Sequence, residues 1–345
     1  MTREISIGKV KIGHGHKIAI QSMTNTDTKD IKATIQQTLE LEEAGCDIVR
    51  VSIFDHECVK TIGEIKKVTS IPLVADIHYD YSIAIASIKS GVDKIRINPG
   101  NIGSKDKVIE IINAAKEYGI PIRVGVNCGS LPEKLYEVYK TSKYDAMMMA
   151  VKEQIDLLEE QQFINLVISA KSSNVLESVK INQLLHERYD YPLHLGVTEA
   201  GTFQRGSIKS SVAFGILLSE GIGDTIRVSL TDDPVKEVEV GREILKSLGK
   251  YDRGIDIISC PTCGRTNIDL IRITNEIEEK LKNVDKKLTV AVMGCGVNGP
   301  NEAKNADIGI AGGKHEALLF KKGKIIRKIK EEDIISQLLM EIDKL

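Results

Sequence analysis

Three cysteines towards the C-terminal end carry the sharpest chemical signal in this chain: Cys260 and Cys263 in "CPTCGRTN", and Cys295 in "VMGCGVNGPNE". A C-x-x-C pair with proline and glycine in its knuckle, joined by a third thiolate, suits a metal ion or an iron–sulfur cluster. No cysteine follows Cys295, so the fourth position is open. A structural zinc ion asks for four closed Cys or His ligands, and the nearest downstream histidine, His315, lies beyond a predicted strand. Glu302, seven residues after Cys295 in the same glycine-rich loop, is placed to reach the metal. A carboxylate oxygen there would be exchangeable and would leave one iron open to a substrate. Cys46, Cys58 and Cys128 lie far upstream and read as core or loop thiols.

A second set of chemically capable residues consists of polar groups inside otherwise apolar, β-branched runs. Arg50 and Ser52, Asp76 and His78, Arg96 and Asn98, and Arg123 and Asn127 sit at or near the ends of such runs. Lys171, His194, Glu199, Arg227 and Ser229 follow in later ones. Like charges crowded into one place repel unless an anion joins them. Arginine also favours bidentate recognition of phosphate or carboxylate. Together these residues suit a small, highly anionic substrate.

The elements that must position both sets can be read from the same runs. They are "KIAIQSM" (17–23), "DIVRVSI" (47–53), "IPLVADI" (71–77), "DKIRINP" (93–99), "IPIRVGV" (120–126), "NLVISAK" (165–171), "PLHLGVT" (192–198) and "DTIRVSL" (224–230). Segments with helical apolar spacing and glycine stops, such as "KATIQQTLELEEAG", lie between them. Eight strands alternating with helices over residues 1–250 predict an α/β fold of the (β/α)8 TIM-barrel type, with an open doubly wound sheet as the rival. In such a barrel the C-terminal strand ends form the mouth where chemistry occurs. Residues 251–345 predict a smaller α+β domain: strands into both cysteine loops, a helix over 267–283, a hairpin around the basic "KKGK" and a closing helix. The basic turn reads as a solvated hairpin. Gly294, Gly296 and Gly299 spell the dinucleotide pattern G-x-G-x-x-G, but Pro300 and a strand predicted near Asp307 leave no room for the helix that motif requires.

Composition limits the function classes. The chain has 345 residues, is 42% hydrophobic and carries a formal charge of −2, with no apolar run long enough for a membrane helix. Neither a nucleic-acid nor a membrane partner is expected. The opening "MTREISIGKV" has no apolar signal core, so a cytoplasmic protein is expected, with its six cysteines as thiols or ligands rather than disulfides.

Taken together, "QSMTNTDT", "VRVS", "ADIHYD", "IRINPG", "IRVGVN", "TEAGT", "CPTCGRT" and "MGCGVNGPNEA" closely resemble the 4-hydroxy-3-methylbut-2-enyl diphosphate synthase family, in family order and over nearly the whole chain. The length is similar to that of the two-domain bacterial form. The resemblance implies reductive ring opening and dehydroxylation of 2-C-methyl-D-erythritol 2,4-cyclodiphosphate, in the methylerythritol phosphate route to isoprenoids. Two electrons would come from ferredoxin or flavodoxin through one 4Fe–4S cluster per chain. It implies Cys260, Cys263, Cys295 and Glu302 as cluster ligands. Arg50, Arg96, Arg123, Asn127, Lys171 and Ser229 match the family's diphosphate positions, and Glu199 matches its essential acid. Asp76, His78 and His194 are assigned to substrate positioning on the same rim. A homodimer is expected, with active sites shared between subunits: the helix after the eighth strand runs away from the mouth, and only "GKYDRG" links it to the cysteine domain. Two other readings stay open: a barrel enzyme for a pterin or other anionic metabolite stapled by a zinc ribbon, and a non-enzymatic iron–sulfur carrier.

Overall fold

A computed structural model describes residues 1–128, 131–282, 284–296 and 303–345. The chain divides into two compact units, Met1–Tyr251 and Asp252–Leu345.

The first unit opens with a short antiparallel hairpin, β1 (Ile5–Ile7) and β2 (Val10–Ile12). Its Ile5, Ile7 and Ile12 pack against Ala19, Ile48, Val74 and Val167, at the entrances of four barrel strands, so the hairpin seals the N-terminal end. The barrel strands are β3 (Ala19–Met23), β4 (Ile48–Ser52), β5 (Leu73–Asp76), β6 (Lys94–Ile97), β7 (Ile122–Asn127), β8 (Leu166–Lys171), β9 (His194–Leu195) and β10 (Thr225–Ile226). They pair in parallel in the order β8-β7-β6-β5-β4-β3-β10-β9. A parallel bridge from Ile168 to Leu193 joins the two ends and closes the ring, which excludes an open doubly wound sheet.

Seven of the eight strands fall inside their predicted runs and β7 extends one residue past its run, to Asn127, but β9 and β10 are only two residues long where seven were expected. Just after β9, a Cβ at Gly196 would stand 2.4 Å from Lys171 Nζ and 3.2 Å from Arg227 O, so a larger residue there would push the lysine end aside. Beyond it Arg227 N still bonds Leu195 O at 3.0 Å, while Thr198 N turns to Ser172 O at 3.2 Å. Glu199, Arg227 and Ser229 are therefore loop residues at the mouth.

Alternation along each strand sorts the side chains. On β4 Val49 and Val51 are fully buried against the surrounding helices, while Arg50 between them faces the interior. Each fully buried aliphatic side chain contributes about 1.5–3 kcal/mol, and this outer layer offsets the cost of crowding cations inside. The helices begin and end as their sequences dictate. Asp30 caps Ile31–Glu43 by accepting from Ala33 N, and Gly45 beyond it has φ +90°. Asp233 and Pro234 start the helix Pro234–Ser247.

The second unit is a mixed sheet of β11 (Ile255–Ser259), β12 (Leu288–Met293), β13 (Ile308–Gly313), β14 (Glu316–Lys321) and β15 (Lys324–Lys330), in chain order. The first three are parallel and the last two complete an antiparallel hairpin. Helices Leu270–Leu281 and Ile334–Asp343 share one face, burying Ile273, Ile277, Leu338 and Ile342 against Val290, Val292, Ile308 and Ile310. The first of these helices was expected over 267–283, and Asp269, which accepts from Arg272 N, sets its later start. Lys322 and Gly323, with φ of 47° and 73°, make the exposed two-residue turn expected at "KKGK". Among the described residues no helix is long and apolar enough to cross a membrane.

Candidate active-site residues in the barrel mouth and the cysteine loops

Pairing register, which the sequence does not state, assembles the mouth. Asp76, Arg96 and Arg123 stand side by side across β5, β6 and β7, and Asn127 stands beside Lys171 across β7 and β8. Asp76, 4% exposed, is the carboxylate at the centre. Arg96 Nη1 donates to its Oδ1 at 3.1 Å, His78 Nε2 lies 3.5 Å from Oδ2, and Arg50 Nε lies 3.8 Å from the same oxygen. Burial pushes the Asp76 carboxyl up. Arg50, His78, Arg96 and Arg123 together outweigh burial and hold it well below the usual range. Exposed His78 also places Nε2 3.2 Å from Arg96 Nη1.

The cations are less well served. Arg50 directs Nε and Nη2 at Met23 Sδ, 3.1 and 2.9 Å away, and a thioether is a weak acceptor. Burial, assisted by Arg227 and Arg96 against the pull of Asp76, brings Arg50 down to about 10. Arg123 is 3% exposed, and its Nε and Nη1 have no hydrogen-bond partner among the described residues; Arg96 Nε is in the same condition. Burial first, then Arg50 and Arg96, act against the Arg123 cation. A guanidinium keeps its proton even so, and the cost remains until an anion relieves it.

Lys171 Nζ lies 3.4 Å from His194 Nε2, and His194 Nδ1 lies 2.7 Å from Thr225 Oγ1. Burial, followed by Arg123, Lys171 and Lys94, pushes the fully buried imidazole far below its ordinary value. It is therefore neutral, with Nε2 accepting from Lys171 and Nδ1–H donating to Thr225.

Glu199 is exposed and holds φ at +51°, a left-handed conformation that costs a non-glycine residue about 1–2 kcal/mol. Neighbouring bonds keep it there, from Thr198 N to Ser172 O and from Thr231 N to Gly201 O at 2.9 Å. The loops after β8, β9 and β10 are thereby tied together around Glu199. Ser229 is half-buried in the last of these loops.

Sequence reasoning missed the group that fixes this last loop. Buried Glu237 accepts from Ser22 Oγ at 2.8 Å, Arg227 Nε at 3.2 Å, Arg227 Nη2 at 3.3 Å and Leu230 N at 3.0 Å. Its signal was present: a glutamate at the same helical spacing as buried Gly241 and Ile244. Asn98, which directly follows β6, accepts at Oδ1 from Gly100 N and from Gln154 Nε2, each at 3.2 Å.

In the second unit, the parallel pairing of β11 with β12 brings their C-terminal ends together, Ser259 beside Val292. Cys260 directly follows β11, and Cys295 follows β12 after one glycine. Gly294 N donates to Cys260 Sγ at 3.2 Å. The knuckle is closed by Thr266, whose N reaches Cys263 O at 3.0 Å and whose Oγ1 accepts from Cys263 N at 3.2 Å. A Cβ at Gly312 would stand 2.7 Å from Gly294 O, so glycine there permits the close backbone approach. All three thiols are free; Cys260 and Cys295 are half-buried and Cys263 is exposed. Glu302 and the motif residues Gly299 and Pro300 lie outside the described residues. Cys46, Cys58 and Cys128 belong to the barrel unit, and burial pushes the Cys46 thiol up to about 12.

The GcpE TIM-barrel domain matches residues 2–242, and the GcpE protein C-terminal domain matches residues 256–344. The chain belongs to the GcpE family. It is 57% identical over 342 residues to the 4-hydroxy-3-methylbut-2-en-1-yl diphosphate synthase (flavodoxin) of Caldicellulosiruptor saccharolyticus, covering 99% of this chain and 98% of that protein. The protein of the same description from Clostridium acetobutylicum is 55% identical, with the same coverage of both. Among solved structures, an N-acetylneuraminic acid synthetase from Leptospira borgpetersenii shares the barrel fold, with a TM-score of 0.51 at 14% identity over 72% of this chain and 91% of that one.

The donor set of this GcpE chain, three free thiols on two loops of the second unit, is of the kind that holds a metal centre. Thiolates bound to separate irons stand further apart than ligands of one ion, and two cysteine loops meeting at one sheet end leave room for that spacing. His315, the histidine a zinc ribbon would need, sits in the β13–β14 turn with φ +62°.

Proposed function

We propose that this chain is a 4-hydroxy-3-methylbut-2-en-1-yl diphosphate synthase. It would open 2-C-methyl-D-erythritol 2,4-cyclodiphosphate and remove an oxygen as water, using two electrons and protons. The observation that carries this reading is Arg123, whose two orphaned N–H groups are buried beside Arg96 and Arg50 in a closed barrel. A diphosphate supplies the acceptors that the protein lacks there. In this assignment Arg50, Arg96, Arg123, Asn127, Lys171 and Ser229 bind its oxygens. Asp76 and His78 hold Arg96 in place, and His194 holds Lys171 by accepting a hydrogen bond from it. Glu199, on its strained and tied loop, delivers a proton to the departing oxygen.

A 4Fe–4S cluster bound by Cys260, Cys263, Cys295 and Glu302 would supply the electrons and a Lewis-acidic iron. The relatives' description favours flavodoxin over ferredoxin as donor. This reading includes a cytoplasmic location and a homodimer in which one subunit's cysteine domain serves its partner's barrel. Mixing Cys263→Ser subunits with Glu199→Gln subunits should then restore activity, because one site in each mixed dimer combines two intact halves. No recovery from demonstrated heterodimers would refute shared sites.

The mouth assignment has its own test. Arg123→Met keeps the volume of the side chain and removes its unsatisfied donors, so the protein should melt at a higher temperature. The same change removes charge-assisted contacts worth about 1.5–3 kcal/mol each, weakening substrate binding by roughly ten- to a hundred-fold. Unchanged substrate affinity in a calorimetric titration would remove Arg123 from the site.

A further inference from the structure

Lys94 lies two residues before Arg96 on β6, so both side chains enter the barrel, with Lys94 the deeper. It is 0% exposed. Its Nζ reaches Gln21 Oε1 at 3.4 Å, and Gln21 Nε2 has no partner among the described residues. Around it the strands carry Gln21, Arg50, Asp76, Arg123, Lys171 and His194. Asp76 is the carboxylate of that group, and it is already engaged by Arg96, His78 and Arg50. A fully buried lysine without an acid of its own is rare, because a lone ammonium is costly to desolvate. Burial, then Arg123 and Arg50, act against the charged form.

We propose that Lys94 is the charge-adjusting floor of the anion site, an amine that takes up a proton when a dianion binds above it and releases it when the anion leaves. The inference rests on reading the mouth as an anion site. The resting barrel holds Arg50, Arg96 and Arg123 without adding another like charge beneath them. Once an anion balances those cations, the protonated amine becomes the favoured form. Binding coupled to proton uptake weakens as pH rises, over a range in which the guanidiniums stay charged.

The sequence already held the alternation that reveals this residue, since "DKIRINP" places Lys94 and Arg96 on one strand face. Sulfate is a suitable probe, because it has no titratable proton near pH 8, so any proton taken up belongs to the protein. The anaerobically prepared full-length protein would be titrated with sulfate by calorimetry in two buffers of different ionisation enthalpy. The wild type should take up protons as sulfate binds. Lys94→Met, and Lys94→Gln as a second variant, should bind sulfate with up to about one proton fewer per site. Equal uptake by wild type and variants overturns the proposal, as does a wild type that binds sulfate with no uptake. Failure of sulfate to bind the wild type overturns the anion-site reading itself, which separates the two failures.

Discussion

Cys260→Ser, prepared without oxygen, is expected to be colourless, low in iron and sulfide, and inactive, whereas the wild type is brown with about four irons and four sulfides per chain. The expectation follows from the position of Cys260. Its sulfur receives the Gly294 N–H, so one thiolate joins the knuckle after β11 to the loop carrying Cys295. Serine offers a harder ligand of much higher pKa, which holds iron poorly. A change of Cys128, in the barrel unit, should leave the colour intact and serves as the control. Iron and sulfide analysis together with the visible spectrum reads the result. A colourless wild type holding one zinc per chain would favour the zinc-ribbon reading and sink the cluster assignment.

Glu199→Gln is expected to bind substrate nearly as well as the wild type and to lose turnover by about a hundred- to ten-thousand-fold, the range of general acid catalysis. Glutamine keeps the shape and makes the same demand on a backbone at φ +51°, so the loop tied through Ser172 and Thr231 should persist. Only the transferable proton is lost. Steady-state kinetics with a small-molecule reductant would separate a fall in kcat from a change in KM. Normal turnover at saturating substrate would show that the proton comes from elsewhere.

Much of this architecture was readable locally. The eight barrel runs announced themselves because a strand buried on both sides must be apolar at nearly every position. That same rule made Arg50, Asp76, Arg96, Arg123 and Lys171 conspicuous as departures. Chain polarity then placed Glu199 and Ser229 at the mouth. The cysteine loops were legible because C-x-x-C spacing is a local property of one turn. The hairpin β1–β2 escaped notice because three-residue strands are too short for periodicity to register.

The tertiary structure decided what depends on register and burial. It set Asp76 beside Arg96 and Arg96 beside Arg123, and left two Arg123 N–H groups without acceptors. It passed Gly196 close against Lys171 and ended β9 after two residues. It brought Glu237 back from the final barrel helix to fix Arg227 and Leu230. Periodicity records which face of an element is apolar, whereas pairing register and the partners of a buried charge exist only after distant strands have met.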